Sequence, residues 1–330
     1  MSIQQLYNTT NTSIPTLQFP ELLFVEDKLQ VIVSKADGLI QQTCSSFLQS
    51  GGKRIRPLLT LYSGMCFAPL NPAMIQAAVA AELIHMASLI HDDVIDKSAT
   101  RRGKPTVNFL YGDHAAILTG DYLFAEAFNI LSTHQLLSSM TYLVEAIQAM
   151  CEGEVNQANE QFLSSISQQH YFQRITKKTG KLLVACCQSG AILAGASSEE
   201  LTQMLEYGLN IGYAYQITDD ILDISGDADS LGKPVGTDLI NGNLTLPFLY
   251  LMDNPIYGNC LTEIIKTRKV TRQGLQSIQE ALVSSGCIAQ AFATATECIC
   301  KAKDSLDKIP GSPYRTTLIN LADSILLRTT

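Results

Sequence analysis

The chain has 330 residues, 46% of them hydrophobic and 16% charged, with no tryptophan, a balance that excludes disorder and implies a substantial buried core. A formal charge of −8 without any lysine- and arginine-rich stripe excludes nucleic-acid backbone binding. Nine cysteines, an odd number with no C-x-x-C spacing, exclude a disulfide scaffold and indicate a reducing compartment; Cys186-Cys187 and Cys298/Cys300 read as packed thiols.

Residues 1–20 are polar and contain no basic stretch leading into an apolar run, so no secretory signal is visible and a cytoplasmic location is expected. That segment should be poorly ordered or peripheral, with one domain over 21–330, because nothing further along reads as a linker. Helical periodicity dominates and sustained period-2 alternation is missing, so the fold class is all-α, with few strands or none. The periodicity predicts helices near 22–49, 53–67, 72–96, 114–132, 135–161, 168–178, 180–195, 198–225, 243–252, 272–284, 287–307 and 313–327. Asn71-Pro72 and the Ser197/Glu200 pair mark helix starts, the latter with capping-box spacing. Thr271 caps the segment that Gly286 ends. The most apolar stretch, Ala73–Ile90, is interrupted by Gln76, Glu82 and His85 and reads as a buried core helix, not a membrane span. Polar loops are expected near 98–112 and 226–242.

Each loop follows the same acidic word. Ala-Ser-Leu-Ile-His-Asp-Asp-Val-Ile-Asp ends at Asp96, and Ala-Tyr-Gln-Ile-Thr-Asp-Asp-Ile-Leu-Asp ends at Asp223. In a helical D-D-x-x-D the first and last carboxylates lie about 40° apart around the axis and project from one face. Like charges so placed repel unless a cation joins them. Oxygen-only ligands with open positions suit Mg²⁺, which bridges carboxylates to substrate phosphates. One such word is equally well a solvated acidic helix end; two copies in one chain favour the metal reading.

Basic words accompany the acidic ones. Gly51-Gly52-Lys53-Arg54-Ile55-Arg56-Pro57 sets three cations beside a glycine pair at a helix start, which suits a diphosphate as well as a surface turn. Arg101-Arg102-Gly103-Lys104-Pro105 follows the first acidic cluster, and Gly232-Lys233-Pro234 follows the second. Lys177, Lys178 and Thr179 form a further cationic group that by itself reads as a solvated helix face. His85 lies seven residues before Asp92 and reaches the same side of its helix, although a lone histidine in an apolar helix is commonly a hydrogen-bonded core residue.

From about residue 22 to the C-terminus the chain resembles the trans-polyprenyl diphosphate synthases. The words that carry the resemblance are GGKRIRP, LIHDDVIDKSATRRGKPTVN, GDYLFAEA, GEVNQ, KKTGKLL, YQITDDILD and LGKPVGTDLINGNLTLP. Within the family they look most like the catalytic component of bacterial heptaprenyl diphosphate synthases, with GNLTLP where short-chain members commonly carry lysine in place of Asn243. The resemblance implies the isoprenoid-synthase fold, a helical bundle around a deep central cavity with the two aspartate motifs facing each other. It implies that Asp92, Asp96 and Asp219, supported by Asp93, Asp220 and Asp223, hold Mg²⁺ against an allylic diphosphate such as farnesyl diphosphate. Arg101, Lys178 and Lys233 would grip that diphosphate, Lys53, Arg56, His85 and Arg102 would bind isopentenyl diphosphate, and Thr179 and Gln216 would point oxygen dipoles at the reacting carbon.

The implied reaction is ionisation of the allylic C–O bond, attack by the isopentenyl double bond and proton loss to the departing diphosphate. The growing tail is expected to run beside the helix leading into the first motif. There Ala87 and Ser88 stand where short-chain members commonly place an aromatic stopper, Ile84 narrows the path, and Ala80 and Ala81 reopen it. A medium or long product of the heptaprenyl class follows, with a short-chain farnesyl or geranylgeranyl synthase as the alternative. A terpene cyclase would not need the GGKRIRP and RRG words, and a non-catalytic partner subunit would tend to lose the acidic ones. The resemblance implies a homodimer or a heterodimer with a small regulatory subunit.

Overall fold

In the computed structural model, which describes residues 19–225 and 236–327, helices carry most of the described residues. They run as α1 (Glu21–Lys35), α2 (Gly38–Gln49), α3 (Ile55–Met65), α4 (Pro72–Ile95), α5 (Val107–Tyr111), α6 (Asp113–Thr133), α7 (Leu137–Glu160), α8 (Gln168–Ile175), α9 (Lys181–Leu193), α10 (Ser198–Ser225), α11 (Thr237–Ile240), α12 (Leu246–Met252), α13 (Gly258–Thr267), α14 (Arg272–Ser284), α15 (Cys287–Leu306) and α16 (Pro313–Leu326). Among the described residues the strands are β1 (Thr100–Arg101) and β2 (Lys104–Pro105), an antiparallel pair. The segment expected over 1–20 lies outside the described residues except for Phe19 and Pro20; the Phe19 ring packs edge-on against Tyr62.

The caps form as the sequence indicates. The Asn71 side chain accepts from the Met74 N–H at 3.0 Å. Ser197 and Glu200 exchange backbone and side-chain bonds, and Thr271 accepts from the Gly274 N–H. Gly286, at φ +77°, separates α14 from α15.

Four expectations are corrected. The helix expected over 22–49 is two, because Ala36 and Asp37 are extended and Gly38 takes φ +53°; the Asp-Gly turn signal outweighs the apolar periodicity that runs across it. The polar loop at 98–112 contains the β-hairpin and α5. α13 was not anticipated: Asn254 accepts from the Ile256 and Tyr257 N–H groups, and the turn signals of Asp253-Asn254-Pro255 and Gly258 outweigh the amphipathic periodicity of the ten residues that follow. The break expected at 179 is a wide π-turn over Thr176–Gly180 that joins α8 to α9 without interruption.

α4 is apolar on nearly every face, as a central helix must be, and packs against α3, α6 and α9. By length and composition it could cross a membrane, yet 67% of its most apolar window is buried within the protein. α10 lies against α9 and α15. α3 crosses α9 with backbone touching backbone: a Cβ at Gly190 would stand 1.8 Å from the Thr60 carbonyl oxygen, and one at Gly64 would stand 2.7 Å from the Gly190 oxygen. Replacing Gly190 by alanine gains about 1 kcal/mol of helix propensity but meets rigid backbone, and overpacking of this kind costs about 1–3 kcal/mol or more. Gly190→Ala is expected to lower the urea midpoint; an unchanged or raised midpoint would show that the two helices part without strain.

Candidate active site

Asp92 and Asp93 occupy the last turn of α4, and Asp96 is its C-cap, with its N–H bonded to the Asp92 carbonyl at 2.8 Å. Asp219, Asp220 and Asp223 occupy the last two turns of α10. Carboxylates at a helix C-terminus meet the negative end of the macrodipole, so both clusters stand where helix stability would favour lysine or arginine. Both helix ends open onto one cavity of about 530 Å³, whose lining includes Asp92 and Asp219.

The six acids divide by orientation. Asp92 is half-buried on the cavity wall, and Asp96 is exposed and not among the lining residues. Asp93, 2% exposed, is gripped by Arg101 through Nε (2.9 and 3.0 Å) and Nη2 (2.8 Å). Asp220, 3% exposed, accepts from the Tyr171 hydroxyl at 2.6 Å and from Gln216 Nε2 at 2.9 Å. The Asp223 carboxylate accepts from the Asp238 N–H and its carbonyl from the Gly236 N–H, which fixes the chain as it returns to the site.

Burial pushes the Asp92 carboxyl up to about 6, with Lys178 opposing and Glu154 and Asp96 reinforcing. Burial raises Asp220 to about 7, with Asp238 adding to it against the bonds from Tyr171 and Gln216. Crowded carboxylates of this kind are what a divalent cation relieves. Among the described residues no three carboxylate, imidazole or thiol side chains stand close enough to hold an ion by themselves. The donor set is therefore open, and it fits Mg²⁺ provided ligand or water oxygens complete the shell.

The basic wall faces these acids. Arg56, His85, Arg101 and Arg102 line the cavity. Arg102 and Gly103 form the two-residue hairpin turn, both at positive φ (52° and 72°) as a type I′ turn requires, and the Arg102 guanidinium donates to the Gly51 carbonyl. Lys53 is half-buried and is not among the lining residues. Burial, followed by the charges of Arg56, Arg102, Arg101 and Arg54, holds the His85 imidazole well below its ordinary pKa, so it is neutral at pH 7. Arg54 itself is structural. At φ +49° it turns away from the cavity and joins Glu26 on α1 to Glu82 on α4, the latter at 3.0 Å.

Lys178 and Thr179 reach the cavity from the π-turn, whose extra residue per turn rotates them off the face a regular helix would give. A Cβ at Gly212 would stand 2.8 Å from the Gly180 Cα, so the π-turn sits directly on the backbone of α10. Lys178 Nζ contacts Glu154 at 2.7 Å and Gln157 at 3.2 Å. Although burial lowers its pKa, Glu154, Asp92 and Asp96 outweigh burial and hold the ammonium above its usual value. Thr179 Oγ1 donates to Gln216 Oε1 at 2.7 Å. Lys233 lies outside the described residues.

Glu154, Gln157, Glu82 and Tyr171 were missed as site residues. The i, i+3 spacing of Glu154 and Gln157 within GEVNQ signals one polar face on α7 and could have revealed that pair. Half-buried Leu89, Phe124, Ile147 and Met150 give the cavity an apolar stretch of lining beside Ser88, to which Val155, 62% exposed, also belongs. Ala87 is fully buried elsewhere; successive helical residues point about 100° apart, so Ser88 faces the cavity and Ala87 does not. Ile84, Ala80 and Ala81 are likewise buried and not part of its lining.

A family model described as polyprenyl synthetase matches residues 37–282. The chain is 36% identical over 302 residues to heptaprenyl diphosphate synthase component 2 of Bacillus subtilis (strain 168), covering 91% of this chain and 86% of that protein. It is 35% identical over 286 residues to octaprenyl diphosphate synthase of Escherichia coli (strain K12), covering 86% and 88%. The crystal structure of heptaprenyl diphosphate synthase from Staphylococcus aureus superposes with a TM-score of 0.86 at 34% identity, covering 94% of this chain and 98% of that one. The chain belongs to the polyprenyl synthetase family and is a prenyltransferase.

Proposed function

We propose that the chain, as one synthetase domain over residues 21–330, condenses isopentenyl diphosphate with an allylic diphosphate to give an all-trans product of the heptaprenyl class. The observation that carries this reading is the opening of two acid-tipped helices onto one cavity lined by basic and by apolar side chains. Asp92, Asp96 and Asp219 are the residues to hold Mg²⁺, with Asp93, Asp220 and Asp223 bracing them. When bound, the metal supplies positive charge against the diphosphate that leaves. Arg101, Lys178 and Lys233 add fixed positive charge to the same leaving group.

Lys53, Arg56, His85 and Arg102 hold the second diphosphate, with His85 neutral and thus able to share hydrogen bonds without adding charge. The Thr179–Gln216 pair places oxygen lone pairs beside the cavity, where they stabilise an allylic cation. Leu89, Phe124, Ile147 and Met150 keep water from quenching it. The C–O bond of the allylic substrate breaks, the new C–C bond forms from the isopentenyl double bond, and the proton lost passes to the released diphosphate.

Exposed Phe109, Leu110, Tyr111, Ile117 and Leu118 form an apolar face on α5 and α6, which supports association with a second copy or a small subunit. The name "component 2" of the Bacillus subtilis relative favours testing for the latter. The eight cysteines whose side chains are described are free thiols, in keeping with a cytoplasmic location.

Incubated with Mg²⁺, farnesyl diphosphate and labelled isopentenyl diphosphate, the purified chain is expected to form polyprenyl diphosphate, and EDTA to abolish it; undiminished turnover in EDTA overturns the metal assignment. Asp92→Asn should lower kcat/KM by about 10²-fold or more without loss of fold by circular dichroism. Ser88→Phe should shorten the product on chromatography while leaving the first condensation active, and an unchanged product length would remove α4 from the tail's path.

A further inference from the structure

Lys178 and Gln216 line both the main cavity and a second, smaller one of about 80 Å³. Two carboxylates, Asp220 and Asp238, border the small cavity together with Asn243 and Thr245. Asn243 is 8% exposed and Thr245 4%, and Asn243 Oδ1 and Thr245 Oγ1 have no hydrogen-bond partner in the protein. Thr245 holds the N-cap position of α12, yet its side chain makes no cap bond. Buried oxygens left in this state are destabilising unless a donor or a cation occupies the space between them.

Four nearby donor side chains are directed elsewhere. Tyr171 and Gln216 donate to Asp220, Arg174 to the Leu244 carbonyl at 2.6 Å and to Glu160 at 3.4 Å, and Lys178 to Glu154 and Gln157. Among the described residues, with Glu154 and Glu160 included, four carboxylates stand against two cationic side chains. We propose that the small cavity binds a monovalent cation of about the size of K⁺, through carboxylate oxygens of Asp220 and Asp238, Asn243 Oδ1 and Thr245 Oγ1.

Volume and donor type select the ion. The space is small beside the main cavity of about 530 Å³, so protein oxygens stand around it in place of part of an ion's water shell. Mg²⁺ dehydrates reluctantly and demands near-ideal octahedral geometry. Two neutral oxygens, with carboxylates already sharing hydrogen bonds, suit a weakly hydrated single charge. The ion keeps Asp220 in place as the acceptor of Gln216 Nε2, which leaves Gln216 Oε1 turned to Thr179. It thereby acts on the proposed reaction by positioning, and only this consequence rests on the prenyltransferase reading.

The test uses the full chain without Mg²⁺ or substrate, melted in KCl and in choline chloride at equal ionic strength. K⁺ is expected to raise Tm by about 2–4 °C. Asn243→Lys, which places a tethered ammonium in the same cavity, should abolish the difference between the two salts. Thr245→Val, which removes one ligand and keeps the shape, should weaken the K⁺ response about tenfold in concentration and carries the test if the lysine variant does not fold. Crystals soaked in Tl⁺ should show a heavy-atom peak between Asp220 and Asn243. Equal Tm values in both salts for the parent chain, or a K⁺ response unchanged in both variants, would overturn the proposal and leave the cavity to water. Since no turnover is measured, either result is independent of whether the chain makes a prenyl diphosphate.

Discussion

Negative charge at the wrong end of two helices is the constraint on which the rest of this structure depends. A helix C-terminus already carries about half a negative charge, and α4 and α10 each add three aspartates to it. Neither helix would be built this way for stability. The cost is tolerable because both helices are held along their length by apolar packing, α4 against α6 and α10 against α15, so their tips are free to be electrostatically unfavourable. On the proposed reading the tips would become favourable once cations stood between them and a diphosphate, which would make substrate and metal part of the site's own charge balance.

Three groups at the cavity have a partner that sets their direction. Arg101 is held by Asp93, Lys178 by Glu154, and Gln216 by Asp220. The Arg54 bridge between Glu26 and Glu82 fixes the start of α3, and with it Arg56 and the neighbouring glycine turn. Such locking means that the charges do not have to reorganise when a leaving group develops its own, the condition under which electrostatic stabilisation is strongest.

The sequence made the fold class and the two acidic words legible because both rest on short-range pattern: 3.6-residue periodicity and a four-residue spacing. It made the caps at Asn71, Ser197 and Thr271 legible for the same reason. What it hid depends on contacts distant in the chain. The division of six aspartates into cavity-facing and bracing ones is set by Arg101, Tyr171 and the backbone at 236–238, none of them within the words themselves. Arg54 looked like one more phosphate ligand because its positive φ and its partners 28 residues away on either side leave no local trace. The choice between Ala87 and Ser88 is a matter of one residue's rotation about α4, finer than any periodicity argument resolves. The π-turn at Thr176–Gly180 followed from packing on Gly212 and could not be read from KKTGK alone.

The cavity is lined in part by charged and in part by apolar side chains, and in the proposed reaction the two parts would govern different properties. Every round of elongation would present the same diphosphate to Asp92, Arg101 and Lys178, whatever the length of the tail behind it, so charge there would govern rate and would have no means of counting units. The tail would meet Ser88, Leu89, Phe124, Ile147 and Met150, whose contacts are non-directional and would increase with each unit until space ran out. On that reading product length would be a steric property of the apolar lining and rate an electrostatic property of the helix tips. One scaffold with unchanged charges could then serve synthases of different product length through the volume of the apolar side chains.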